Sequence, residues 1–286
     1  MKTSLSHLPE DRREDLRAVV KLITDRIDAE FVILFGSFAR GDWVEDTTLG
    51  EDGILYEYRS DYDILIVVED LPKYEYRGYR EKIRRRAKMG GCSTRLSIIL
   101  HSVAEVKKAL KNGEYFFTDI KKEGILLYNS RRFRLPAARK LNAKQRKGKA
   151  QANFDNWFQS AKGFLNQYKH ALDDNELNIA AFLLHQAAER FYHTTLLVFT
   201  DYKPKVHDLV DLGVRVNRFS GEFKKAFPQK TPEEKRLFDL LKRAYVDARY
   251  NMAYKITTCE LQTLAMRVRK LQKITEDVCQ AKIESF

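Results

Sequence analysis

Apolar residues change their period once along this chain, and that change constrains the fold more than any other feature. In the first 130 residues, short runs such as Phe31-Val32-Ile33-Leu34-Phe35 and Ile64-Leu65-Ile66-Val67-Val68 alternate with segments of helical spacing. From Ala150 onward the spacing is helical almost throughout. The first pattern predicts an α+β domain with a mixed sheet, and the second an all-α helical bundle. The expected division is 1–130 for the first domain, 131–149 for a basic linker and 150–286 for the bundle. At 286 residues, each part is long enough to bury its own core.

Within the first part, Leu16, Val19, Val20, Ile23 and Ile27 predict a helix over 9–29, followed by a strand over 31–35. A strand over 53–58 is expected to pair with the strand over 61–68. A basic helix over 73–88, a strand over 95–101 and a helix over 103–112 follow; a helix broken at Gly124 then leads to a closing strand. In the second part helices are expected over 152–172, 176–199, 232–248 and 258–282, with a minor one over 208–217.

Two short segments carry the chemistry of the first part. Gly36-Ser37-Phe38-Ala39-Arg40-Gly41 closes the first strand, and Ser60-Asp61-Tyr62-Asp63 heads another. A Gly-Ser turn lets backbone N–H groups and one hydroxyl approach phosphate oxygens closely. Aspartates at i and i+2 point to one face of a strand, where their mutual repulsion is relieved by a divalent cation. In that pattern and order, these residues resemble the polymerase-beta-like nucleotidyltransferases, especially the minimal ones. The resemblance implies that Gly36 and Ser37 hold nucleotide phosphates, with Arg40 as a further phosphate contact, and that Asp61 and Asp63 hold Mg²⁺ or Mn²⁺. It also implies transfer of a nucleoside monophosphate, with ATP the expected donor, to a hydroxyl on a small molecule or protein. Active members have a third acid on a later strand. Here the alternation of Arg95, Ser97 and Ile99 puts Ser97 at that place, which favours nucleotide binding over turnover. Glu45, Asp46, Glu51 and Asp52, between the two motifs, read as surface charge.

In the helical part, Ala180-Ala181-Phe182-Leu183-Leu184-His185-Gln186-Ala187-Ala188-Glu189-Arg190, then Lys205-Val206-His207-Asp208-Leu209, and Asp247-Ala248-Arg249-Tyr250-Asn251-Met252-Ala253-Tyr254 resemble the HEPN family. Its ribonuclease members carry Arg-x4-His. Arg249 matches the arginine, but Tyr254 stands in place of the histidine, and a phenol is a poor base at neutral pH. Asp247, Arg249, Asn251 and Tyr254 form a candidate polar cluster for phosphate or base edges, with an N-cap or interhelical network as the structural alternative. Tyr254 is also a candidate acceptor for a transferred nucleotide. His185, His193 and His207 are further candidates for ligand contact.

The net charge of +12 favours polyanionic partners, and the acid-free stretch 131–149 concentrates it. Three scattered cysteines, Cys92, Cys259 and Cys279, read as free thiols. No apolar run reaches membrane-spanning length and the first residues lack a signal-peptide core, so the expected location is the cytoplasm without a membrane partner. Three functions stay open at this point: a nucleotidyltransferase, a nucleotide-sensing scaffold, and an RNA-binding or toxin–antitoxin-type HEPN module. The resemblance also allows a homodimer.

Overall fold

A computed structural model describes residues 1–49, 55–75 and 78–286, with the backbone alone over 45–49, 55–59 and 75. It divides into two units, Met1–Lys140 and Leu141–Phe286.

In the first unit the chain runs α1 (Glu10–Thr24), β1 (Ala29–Phe35), α2 (Ser37–Arg40), β2 (Glu45–Leu49), β3 (Leu55–Arg59), β4 (Tyr62–Val68), α3 (Leu71–Glu75), α4 (Tyr79–Met89), β5 (Leu96–Ser102), α5 (Val103–Asn112), α6 (Tyr115–Glu123) and β6 (Ile125–Asn129). Four strands form one mixed sheet in the order β5-β4-β1-β6, with β4 and β5 parallel and β1 antiparallel to both neighbours. Every residue of β4 is buried, as expected of an inner strand covered on both faces. Val32, Leu34, Ile64, Ile66 and Ile98 face Leu16, Val19 and Ile23 of α1 and Ile83 of α4 in one core. The alternate set Ile33, Leu65 and Ile99 is buried too, on the side of α5 and α6. Gly113 ends α5 with φ 67°, and Ser102 and Glu105 form a capping box at its start.

The strand expected over 53–58 differs in partner. β3 pairs with β2 in a separate antiparallel hairpin and not with β4, whose edges are already taken by β1 and β5. Glu51, Asp52 and Gly53 lie outside the described residues, as do the side chains of Glu45 and Asp46.

In the second unit the elements are α7 (Ala143–Asp173), α8 (Leu177–Thr200), α9 (Leu209–Asn217), a 3-10 turn (Gly221–Lys225), α10 (Pro232–Arg243), α11 (Asp247–Tyr250) and α12 (Thr258–Glu284). Phe154, Phe158, Ala161, Leu165 and Tyr168 of α7 follow the helical period and pack with α8 and α12. α8 is the inner helix: Ala187, Ala188 and the run from Phe191 to Val198 are all buried.

The basic stretch 131–149 is divided between the units. Arg132 is tied to the buried Glu30 and to Asp28, and the Arg139 amide donates to the Leu110 carbonyl at 2.9 Å. The remainder is helix, because Asn142 and Gln145 form a capping box that starts α7 well before the expected residue 152. At the other end of the unit, α10 stops at Arg243, short of 248. Side chains add donors to the carbonyls around that end, where the Ala244 amide still reaches Leu240 O and Leu241 O. His185 Nδ1–H donates to Leu241 O at 3.0 Å, the Tyr254 hydroxyl to Leu240 O at 3.1 Å, and Arg249 Nε–H to Tyr245 O at 2.7 Å.

Candidate functional site

At the end of β1, Phe35 stands opposite Asp63 of β4, and Asp63 stands beside Ser97 of β5. Gly36 then turns the chain with φ 74°, and Ser37 opens α2. A Cβ at position 36 would lie 2.3 Å from Asp63 Oδ2, so only glycine lets the carboxylate sit there. Asp63 is buried, whereas Asp61, just ahead of β4, is half-buried. Arg40 Nε donates to Asp42 Oδ2 at 3.0 Å, which engages its charge locally. The back of the turn is braced: His7 Nε2–H donates to Phe38 O at 2.8 Å, and Trp43 stacks on the Phe38 ring at 5.4 Å. Among the described residues no three His, Cys, Asp or Glu side chains are placed to hold one metal ion. A cation at this turn would therefore draw on Asp61 and Asp63, hard oxygen donors that suit Mg²⁺, with the rest of its shell from phosphate and water.

The helical unit gathers a second group, around Tyr245. His207 stacks on the Tyr245 ring at 4.6 Å between centroids and 11° from parallel. His185 packs on the same ring at 5.3 Å, and the Arg249 guanidinium carbon lies 4.8 Å from its centroid. Arg249 also lies 4.9 Å from the ring centroids of Phe182 and of Tyr250. Beneath them is Glu189, a carboxylate on the most buried helix of the unit. His207 Nδ1–H donates to Glu189 at 3.1 Å from each oxygen, which leaves the lone pair on Nε2. His185 Nε2 is 3.6 Å from Glu189 Oε2. Burial pushes the Glu189 carboxyl up, but His185 and His207 outweigh it and hold the group below the usual carboxylate range.

The expected cluster of Asp247, Arg249, Asn251 and Tyr254 is parted among separate partners. Asp247 is paired with Arg243 at 3.4 Å, and Asn251 Oδ1 accepts from the Ala253 amide at 3.0 Å. Tyr254 is buried, and desolvation pushes its phenol well above the ordinary value. His193 is fully buried, and burial pushes its imidazole down to about 3. Of the residues weighed from sequence, Arg249, His185 and His207 come together, and Glu189 and Tyr245 join them unforeseen. The available signal for Glu189 was an acid in an otherwise apolar helix, one turn after His185.

Residues 154–281 match the HEPN domain model. The domain coincides with the helical unit from α7 to α12 and leaves the sheet unit outside the match. No curated protein matches the chain. No helix among the described residues is long and apolar enough to cross a membrane.

Proposed function

We propose that this chain is an RNA-binding HEPN module, and that Arg249, Tyr250 and His207 form its contact surface. The observation that carries this is the placement of Arg249: its guanidinium is spread against Phe182, Tyr245 and Tyr250, with no carboxylate paired to it among the described residues. Tyr250 is 74% exposed beside it. An unneutralised arginine next to an exposed aromatic ring suits single-stranded RNA, whose phosphates take the charge and whose splayed bases stack. The net charge of +12 supports a polyanionic partner. The test is binding of unstructured RNA by the full chain and by its Arg249→Ala variant; absence of saturable binding would remove the proposal.

A second activity is supported by the close approach of Gly36 to Asp63. The sheet unit would bind a nucleoside triphosphate such as ATP at Gly36 and Ser37, with Mg²⁺ or Mn²⁺ on Asp61 and Asp63. Asp63 beside the neutral Ser97 favours binding over transfer to a hydroxyl acceptor. Calorimetry with Mg-ATP tests it: Asp63→Asn should abolish a wild-type signal, and an unchanged signal would place the nucleotide elsewhere.

A further inference from the structure

We propose that His7 and Tyr62 are positioning residues of the Mg-nucleotide site, and that both act through Phe38. This rests on the second activity proposed above and names what holds the two halves of that site in register.

The turn from Gly36 to Gly41 cannot fix its own orientation. α2 is four residues long, too short to be stable as an isolated helix, and the glycines that flank it have φ of 74° and 94°. The amides that follow it turn back on one carbonyl: Gly41 and Asp42 both donate to Ser37 O, at 2.8 and 3.1 Å. Side chains from the first residues of the chain take the next two carbonyls. His7 Nε2–H donates to Phe38 O at 2.8 Å, and Lys2 Nζ donates to Ala39 O at 3.4 Å. The segment that carries them is itself anchored. The Lys2 amide donates to Gly124 O at 3.0 Å, the Leu126 amide donates to Lys2 O at 2.8 Å, and Leu8 is buried. The His7 ring also lies beside Gly41, where a Cβ would be 3.6 Å from His7 Cδ2. Because His7 is an exposed residue, its bond to Phe38 O adds little apolar burial, and its effect falls on the orientation of the turn.

Phe38 carries this bracing to the carboxylates. Its buried ring lies 4.6 Å from the ring of Tyr62, which is buried too. Tyr62 stands between Asp61 and Asp63, and the alternation of a strand puts its side chain on the face opposite Asp63. The Tyr62 amide donates to Arg95 O at 2.9 Å, which fixes the head of β4 to the residue that leads into β5. One ring pair therefore joins the residue after Ser37 to the residue between the two aspartates. The spacing matters because Mg²⁺ takes its oxygens at about 2.0–2.1 Å in near-ideal octahedral geometry, so turn and strand have to be held within about 0.5 Å of the productive arrangement.

The experiment is a Mg-ATP titration of the full chain. Trp157→Phe leaves Trp43, which stacks on Phe38, as the sole tryptophan, so its emission follows the turn directly. In that background His7→Ala should weaken Mg-ATP binding by about 5- to 10-fold with melting temperature unchanged. His7→Gln keeps a side-chain N–H and should recover most of the loss. Tyr62→Phe keeps the ring and should bind as the parent does, whereas Tyr62→Leu should bind more weakly below its melting temperature. The double variant His7→Ala, Tyr62→Leu should lose less than the product of the two single losses, because both act through Phe38. Equal binding by the parent and His7→Ala, or equal losses in His7→Ala and His7→Gln, overturns the role of His7 and leaves the nucleotide site standing. Single losses that multiply in the double variant overturn the shared route through Phe38. No saturable Mg-ATP binding by the wild type overturns the site and the inference together.

Discussion

His207 and Tyr245 lie face to face, 4.6 Å apart and 11° from parallel, although 38 residues separate them in sequence by the difference of their numbers. The contact makes Tyr245 a shared platform, because Arg249 and His185 pack on the same ring. Replacing it by leucine should remove the support of Arg249 and of the His207 ring and weaken RNA binding by about 1–2 kcal/mol. Tyr245→Phe keeps the ring and should bind as the wild type does. Fluorescence anisotropy on the two variants checks this, and equal losses would show that the hydroxyl matters more than the ring.

Gly36 and Asp63 make the corresponding contact in the sheet unit. Gly36→Ala adds a methyl group 2.3 Å from Asp63 Oδ2 at a backbone φ of 74°. The expected cost is about 1–3 kcal/mol in denaturant unfolding of this unit, together with loss of any Mg-ATP signal. Unchanged stability would mean that the turn opens readily and that the two residues are not held together.

Much of this architecture was legible in the sequence. The period of the apolar residues located β1, β4 and β5, and the pattern at Gly113 ended α5 where the structure ends it. Alternation put Ser97 on one face of its strand with Arg95 and Ile99, and the resemblance put that position beside the aspartates; Ser97 lies beside Asp63. The helical unit was harder. Arg249 lies close in sequence to Asp247, Asn251 and Tyr254, yet its guanidinium lies against Tyr245, four residues back, and against Phe182, which comes close only when α8 and α11 pack. Glu189 and His207 lie on separate elements as well, so no local pattern joins them. Periodicity does not mark the ends of α7 and α10; the start of α7 is set by the Asn142–Gln145 capping box.

Acid should weaken the helical unit through His193. Its imidazole is neutral in the fold, with a pKa of about 3, against about 6.5 in an unfolded chain. Below pH 6.5 the unfolded state therefore takes up a proton that the folded state refuses. This contribution is complete above pH 6.5 and declines as pH falls toward 3. Between pH 7 and pH 5 the loss should be about 2 kcal/mol. Urea midpoints for wild type and His193→Leu at both values measure it: the variant should lose less, and an equal loss would show that His193 is already charged in the fold.

Tyr254 gives the opposite expectation for the motif position. Its hydroxyl donates to Leu240 O at 3.1 Å from within the core. Tyr254→Phe should cost about 1 kcal/mol of stability and leave RNA affinity unchanged. A large loss of affinity at full stability would bring Tyr254 back into the contact surface.

The central claim is that Arg249 meets a phosphate of single-stranded RNA. The measurement that tests it most directly is the dependence of RNA affinity on salt concentration for the wild-type chain and Arg249→Ala. Losing one phosphate contact should weaken binding and reduce the slope of log K against log salt by about 0.7. Unchanged affinity and an unchanged slope would contradict the assignment, and place the RNA on another part of this basic protein.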